Sequence, residues 1–260
     1  MAPSAPRRLS LARSLLPFLV VSLVAALGAE TLSRDPRYLM APLAVALLLS
    51  APRIVGRWRM RKLLMSGDVE RVIGTWEGTL QRAAHRGTMA PLLKATAYAA
   101  YGWIEPARRA LDRAVRGPAW DAAVEQRLFI ETLLDTFEGD RDAAVRKAST
   151  LEHLPMPNAG PFTRRRIALL RQGLAALARA FAHSSRGGDA RLLAKAAAAS
   201  PLVHWAMRYA AAVLAIDHGR TRDVPLLLAG APSWPRESAF QAFHDELLSR
   251  VAEEAVAPST

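Results

Sequence analysis

The 260-residue chain contains no cysteine, which excludes a disulfide framework, thiolate metal sites and a cysteine nucleophile. It has no phosphate-binding glycine loop either, because Gly187-Gly188 lacks both the second glycine spacing and a following Lys-Ser/Thr. Six histidines, His85, His153, His183, His204, His218 and His244, lie 14 to 68 residues apart, so none forms the i, i+4 pair of a helical metal site. No serine sits in a Gly-x-Ser-x-Gly turn. Carboxylate pairs such as Glu131 with Asp135, or Asp140 with Asp142, fit helix faces and first-turn caps beside arginines, with no sign of the burial that acid/base work needs. Runs of β-branched residues are scarce beside the many alanines, and no strand pattern competes with helix. No catalytic residue, cofactor or metal is expected.

What is present begins with two uncharged apolar runs, residues 14–29 and 38–52, of 16 and 15 residues. As helices they span roughly 22 to 24 Å against a hydrocarbon core of about 30 Å. Extended to 14–33, with Glu30 at the interface, and to 38–56, with Arg53 snorkelling, both approach the length of about 20 residues that a crossing needs. Arg7, Arg8 and Arg13 precede the runs, and Arg53, Arg57, Arg59, Arg61 and Lys62 follow them. Basic residues collect on the cytoplasmic side, and Tyr38 and Trp58 fall where interfacial aromatics belong. Residues 1–62 are therefore expected to form a two-helix transmembrane hairpin. Its interface residues would be Tyr38, Arg53, Arg57, Trp58, Arg59, Arg61 and Lys62, and both termini would face the cytoplasm in a multi-pass inner-membrane protein. Small residues at 26–29 also fit a signal-peptide cleavage pattern, and cleavage there would leave residues 63 onward cytoplasmic all the same.

The net charge of +12 is unevenly placed. Residues 1–62 carry a net +8, residues 63–152 are close to neutral, residues 153–236 carry +9, and residues 237–260 carry −4. The first excess follows from the expected anchor. The second does not.

From Leu63 the chain reads as helices joined by short breaks at Gly67-Asp68, Tyr101-Gly102, Gly139-Asp140, Gly187-Gly188 and Gly219-Arg220. Second helices start about 35, 37, 49 and 31 residues apart, a period that belongs to helix-pair solenoids. Small residues let paired helices approach, and large ones fill the neighbouring groove. Residues 91–118 carry Tyr98, Gly102, Ala107, Leu111, Ala114 and a closing Pro118. Residues 122–157 carry Leu128, Gly139, Ala144, Ala148 and Leu151, then Pro155 and Pro157. Residues 66–82, with Val72 and Trp76, fit the second helix of a degenerate first repeat, and later pairs fall around 163–200 and 202–230. Residues 237–255 are acidic and amphipathic, as a capping helix is, and 256–260 read as a tail.

These motifs resemble bacterial membrane-anchored tetratricopeptide (TPR) proteins. The order of hairpin, arginine-rich exit and the entry Leu63, Leu64, Gly67, Asp68 is similar to HemY-type inner-membrane proteins. The expected architecture is all-α, with the hairpin at 1–62 and a TPR-like solenoid over 63–255. What the resemblance implies is a non-catalytic, membrane-tethered scaffold that binds partner proteins through its solenoid.

Two features stand out as candidate binding residues. The basic run Arg164, Arg165, Arg166 and Arg171 continues through Arg179, Arg186, Arg191 and Lys195, and is a candidate surface for an acidic protein, a lipid headgroup or RNA. Nucleic acid is the least favoured of these, because no recognition motif accompanies the charge. The aromatics Trp76, Tyr98, Tyr101, Trp103, Trp120, Phe129 and Phe137 are expected mostly in the core, with one or two facing a concave groove.

Overall fold

A computed structural model describes residues 40–256, and every regular element among them is a helix. The chain divides into two units, Met1–Met60 and Arg61–Thr260, and the repeats lie in the second. The run at residues 14–33, Tyr38 and residues 257–260 lie outside the described residues, as does the side chain of Arg53. Helix α1 (Met40–Met65) covers the second apolar run, but its uncharged part ends at Pro52 and the basic exit occupies its second half. Arg57, Trp58, Arg59, Arg61 and Lys62 are exposed on it. No helix among the described residues is long and apolar enough to cross a membrane, which overturns the expected multi-pass inner-membrane localisation. The physical reason is length: 13 residues from Met40 to Pro52 rise only about 20 Å as a helix.

After α2 (Val69–Leu80), four helix pairs follow: α3 (Arg86–Ala100) with α4 (Ile104–Asp112), α6 (Val124–Glu138) with α7 (Arg141–His153), α8 (Pro161–Phe181) with α9 (Asp189–Ala199), and α10 (His204–Asp217) with α11 (Val224–Leu228). The one-turn α5 (Pro118–Ala122) precedes the second pair, and α12 (Ala239–Val256) ends the series. Each second helix packs on the next pair's first helix, as α4 on α6, α7 on α8 and α9 on α10. First helices also pack on one another, α3 on α6, α6 on α8 and α8 on α10. This connectivity is consistent with an α-solenoid.

The local chemistry of the breaks sets this order. Asp68 and Asp140 cap α2 and α7, their carboxylates accepting from the amides of Arg71 and Ala143 at 3.1 Å each. Between α8 and α9 the backbones come so close that a Cβ on Gly173 would lie 2.5 Å from Ala196 Cβ. The alanine-rich faces thus act as contact surfaces, with Ala175, Ala176, Ala178 and Ala180 all buried.

The core centres on rings brought together from across the chain. Phe240 stacks on Tyr209 at 4.9 Å and meets Trp234 at 4.9 Å and Phe137 at 5.3 Å edge-on. The Trp234 indole donates to Tyr209 Oη at 2.7 Å, leaving that hydroxyl's proton for His244 Nδ1 at 3.1 Å. His244 thus faces the aromatic cluster. Ser238 Oγ donates to Tyr101 O at 2.7 Å and the Ala239 amide to Gly102 O at 2.9 Å, so the C-terminal segment is sewn to the turn between α3 and α4. Gly102 makes this approach possible: its φ is +73°, and a Cβ there would sit 3.1 Å from Ser238 Oγ. Tyr101 and Trp205 add bonds to the carbonyls of Leu64 and Met65 at 2.6 and 2.9 Å.

Phe240 is fully buried at this junction. Phe240→Ala should lower unfolding free energy by about 3–5 kcal/mol in a urea titration, whereas the exposed Leu248→Ala should change it by less than about 1 kcal/mol.

Candidate functional site

The first helices of the pairs divide along their length. Their C-terminal ends supply Tyr101, Phe137 and Phe181 to the aromatic cluster, where Phe243 lies 5.8 Å from Phe137 and 5.1 Å from Phe181. That part of the inner face, the expected seat of a partner, is occupied by the chain's own segment 234–247. Towards their N-terminal ends α3, α6 and α8 line an open groove of about 750 Å³. Its walls are Met89, Ala119, Ala122, Phe129, Ile167 and Leu170, with Leu151 beneath. Phe129, one of the aromatics singled out in the sequence, faces this groove.

Chain periodicity places the basic run against the groove. Arg164 precedes Ile167, and Arg166 precedes Leu170, by one turn of α8, and residues 164–166 are all exposed. Phe162, 84 % exposed, continues the stripe through Arg166 to Leu170. The groove therefore has an apolar floor and a cationic rim at the N-terminal end of α8.

The rest of the run is dispersed. Arg171 is a buried strut: its Nε donates to Glu125 Oε1 at 2.9 Å and its terminal nitrogens to the carbonyls of Leu154 and Pro155 at 2.6 and 3.3 Å. Arg179 is likewise consumed, by a two-point pair with Asp189 at 3.0 and 2.7 Å. Burial alone would raise the Asp189 carboxyl, but the Arg179 guanidinium and the Arg186 amide outweigh it and hold that carboxyl below the usual carboxylate range. Arg186, Arg191 and Lys195 are exposed beyond the groove-lining stretch of α8. Eight cations read as one run are thus two internal braces, a rim of two at Arg164 and Arg166, and four others.

Other chemistry-bearing groups are also committed to packing. Asp135 is buried, against the expectation of an unburied helix-face acid, and is clamped between Lys147 at 2.7 Å and Arg108 at 3.4 Å. The Arg108 guanidinium is held higher than usual, chiefly by its hydrogen bonds to Glu138. His183 Nδ1 meets Asp217 at 2.8 Å, joining the ends of α8 and α10. No cluster of His, Asp or Glu among the described residues is arranged to hold a metal.

Comparison with protein-family models, curated proteins and solved structures returns no match to this chain. The site is read from its geometry alone.

Sequence reasoning missed most of the groove, because its walls come from segments more than 80 residues apart. One signal was present: Ile167 and Leu170 sit one turn beyond Arg164 and Arg166, so apolar floor and basic rim share a helix face.

The brace and the rim should separate under mutation. Arg171→Ala should cost about 3 kcal/mol in denaturant unfolding, while alanine at Arg164, Arg165 and Arg166 together should shift it by less than about 1 kcal/mol. Because the Asp189 carboxyl is depressed in the fold, its contribution is complete above its unfolded value of about 4 and is lost as pH falls below that. Asp189→Asn should therefore be less stable than the parent at neutral pH and show a shallower acid limb in an unfolding titration from pH 6 to 2.

Proposed function

We propose that this chain is a non-catalytic scaffold whose TPR-like helical repeats dock a segment of a partner protein in the groove between α3, α6 and α8. The observation that carries this reading is the groove itself: about 750 Å³ of open space with apolar walls, on helices fixed by a closed core. The rim supplies the partner's chemistry. A segment that places two or three apolar side chains over Met89, Phe129 and Ile167, with acidic residues following towards Arg164–Arg166, complements both parts.

The alternative of an anionic ligand held by the whole 164–195 run draws less support. Arg171 and Arg179 are spent on Glu125 and Asp189, and the others do not converge. A rim of two cations beside apolar walls suits an acidic, amphipathic protein segment better than RNA or another polyanion.

A photo-crosslinking residue placed at Ile167 in the full chain, expressed at native level in its own cells, tests this. We expect one discrete protein adduct that is absent when the crosslinker is moved to Leu248 on α12 and that weakens at least tenfold with Arg164→Glu, Arg165→Glu and Arg166→Glu combined. No discrete adduct, or the same adduct from Leu248, would contradict the reading.

A further inference from the structure

A second concavity lies between α3 and α4, on the side of α3 turned away from the apolar groove. It encloses about 650 Å³ and is lined by Arg86, Lys94, Arg109 and Arg113 with Tyr98, over small residues such as Ala90 and Pro106. These cations come from two separate segments, residues 86–94 and 109–113, within a stretch whose net charge is close to neutral. The fold makes them converge.

Two hydrogen bonds build the frame. The Val115 amide donates to Gly87 O at 3.1 Å, and the Thr88 hydroxyl donates to Val115 O at 2.7 Å. They pin the end of α4 beside the start of α3, so Arg113 is held close to the turn that carries Arg86.

The charges in this cleft are left unbalanced. Elsewhere Arg108, Lys147, Arg171 and Arg179 each have carboxylate partners within hydrogen-bond or ion-pair distance. Here, among the described residues, Arg86, Lys94 and Arg113 have none, and Arg109 has only the exposed Glu105 at 3.9 Å. Glu70 is engaged at 3.1 Å by the hydroxyl of Tyr98. Arg109 and Arg113 are one turn apart, a like-charge spacing that costs free energy unless something neutralises it. Both line the cleft together with Tyr98. The negative end of α4 accounts for Arg113 but not for Lys94 or Arg86, and Arg86 stands at the positive end of α3, where a cation is unfavourable.

The geometry points to a binding site for a compact polyphosphate group between α3 and α4, held by Arg86, Lys94, Arg109 and Arg113. Guanidinium forks match phosphate oxygens two at a time, and a lysine adds a point charge. A walled cleft of one sign focuses the field at its centre, which a flat basic face does not. Multiple negative charge in a small volume is what four converging cations select. The site is separate from the partner groove and does not depend on it.

Titration calorimetry of the full chain with tripolyphosphate, and separately with ATP, tests the site. The expected result is saturable binding of one equivalent, at least tenfold weaker in Arg109→Glu/Arg113→Glu, unchanged within twofold in Arg164→Glu/Arg165→Glu/Arg166→Glu, and weaker as salt rises. Similar affinity for both probes would assign the free polyphosphate, and tighter ATP binding would assign a nucleotide-borne one. If the charge reversal prevents folding by circular dichroism, Lys94→Gln/Arg113→Gln should still weaken binding several-fold. Non-saturable binding, equal loss in the Arg164–Arg166 variant, or binding of an RNA oligomer that tripolyphosphate does not displace would overturn the proposal.

Discussion

Insertion of Trp234 and Phe240 among the rings of Tyr101, Phe137, Tyr209 and Trp205 fixes the form of the helix-pair array. Helix pairs that touch only their neighbours leave the inner face of the first helices apolar and open. Here the chain returns after the fourth pair and closes much of that face with its own aromatic side chains. The closure is polar as well as apolar. Each buried hydroxyl or indole in the cluster meets a defined partner, from Tyr101 on Leu64 O to Trp205 on Met65 O and Trp234 on Tyr209. An unpaired polar group in that place would cost as much as the bond contributes, which makes the arrangement specific rather than merely sticky.

Where the chain closes determines where it stays open. The C-terminal ends of the first helices are covered, and towards the N-terminal ends of α3, α6 and α8 the groove walled by Met89, Phe129 and Ile167 is left. Charges divide by the same rule. Cations that point inwards, Arg171 and Arg179, are matched by carboxylates and carbonyls and serve as braces. Those that point outwards, Arg164 and Arg166 on the rim and Arg86, Lys94, Arg109 and Arg113 in the cleft, are left available. An excess of positive charge that looked like one feature of residues 153–236 thus resolves into several, and the strongest convergence lies in a region whose net charge is close to zero.

Helix content, the glycine and aspartate breaks and the pairing of helices were legible because they depend on local rules: Gly67-Asp68 and Gly139-Asp140 end one helix and cap the next within a few residues. Terminal helix 237–255 was legible as an amphipathic element, seen as Ala239–Val256, but not in its destination. Phe240 and Ser238 lie some 140 residues from Tyr101 and Gly102, and nothing in their own neighbourhood announces the contact. The second apolar run was read by its composition, and the helix that carries it fails as a span because Arg53 to Lys62 follow within a few turns. The cationic cleft was hidden because its members are spaced at 8, 15 and 4 residues along two helices, and only the bonds of Val115 to Gly87 and Thr88 bring them together.

Closure of the helix-pair array by its own C-terminal segment is the claim on which the groove, the rim and the separation of the two sites rest. Native-state hydrogen exchange on the full chain tests it most directly. If the segment is part of the core, the amides of Ala239 and Phe240 should exchange only with global unfolding, at the same opening free energy as those of Ala97 and Leu177 in the first helices. Exchange of Ala239 and Phe240 at a much lower opening free energy, with α3 and α8 still protected, would show a segment that comes and goes and would contradict the account.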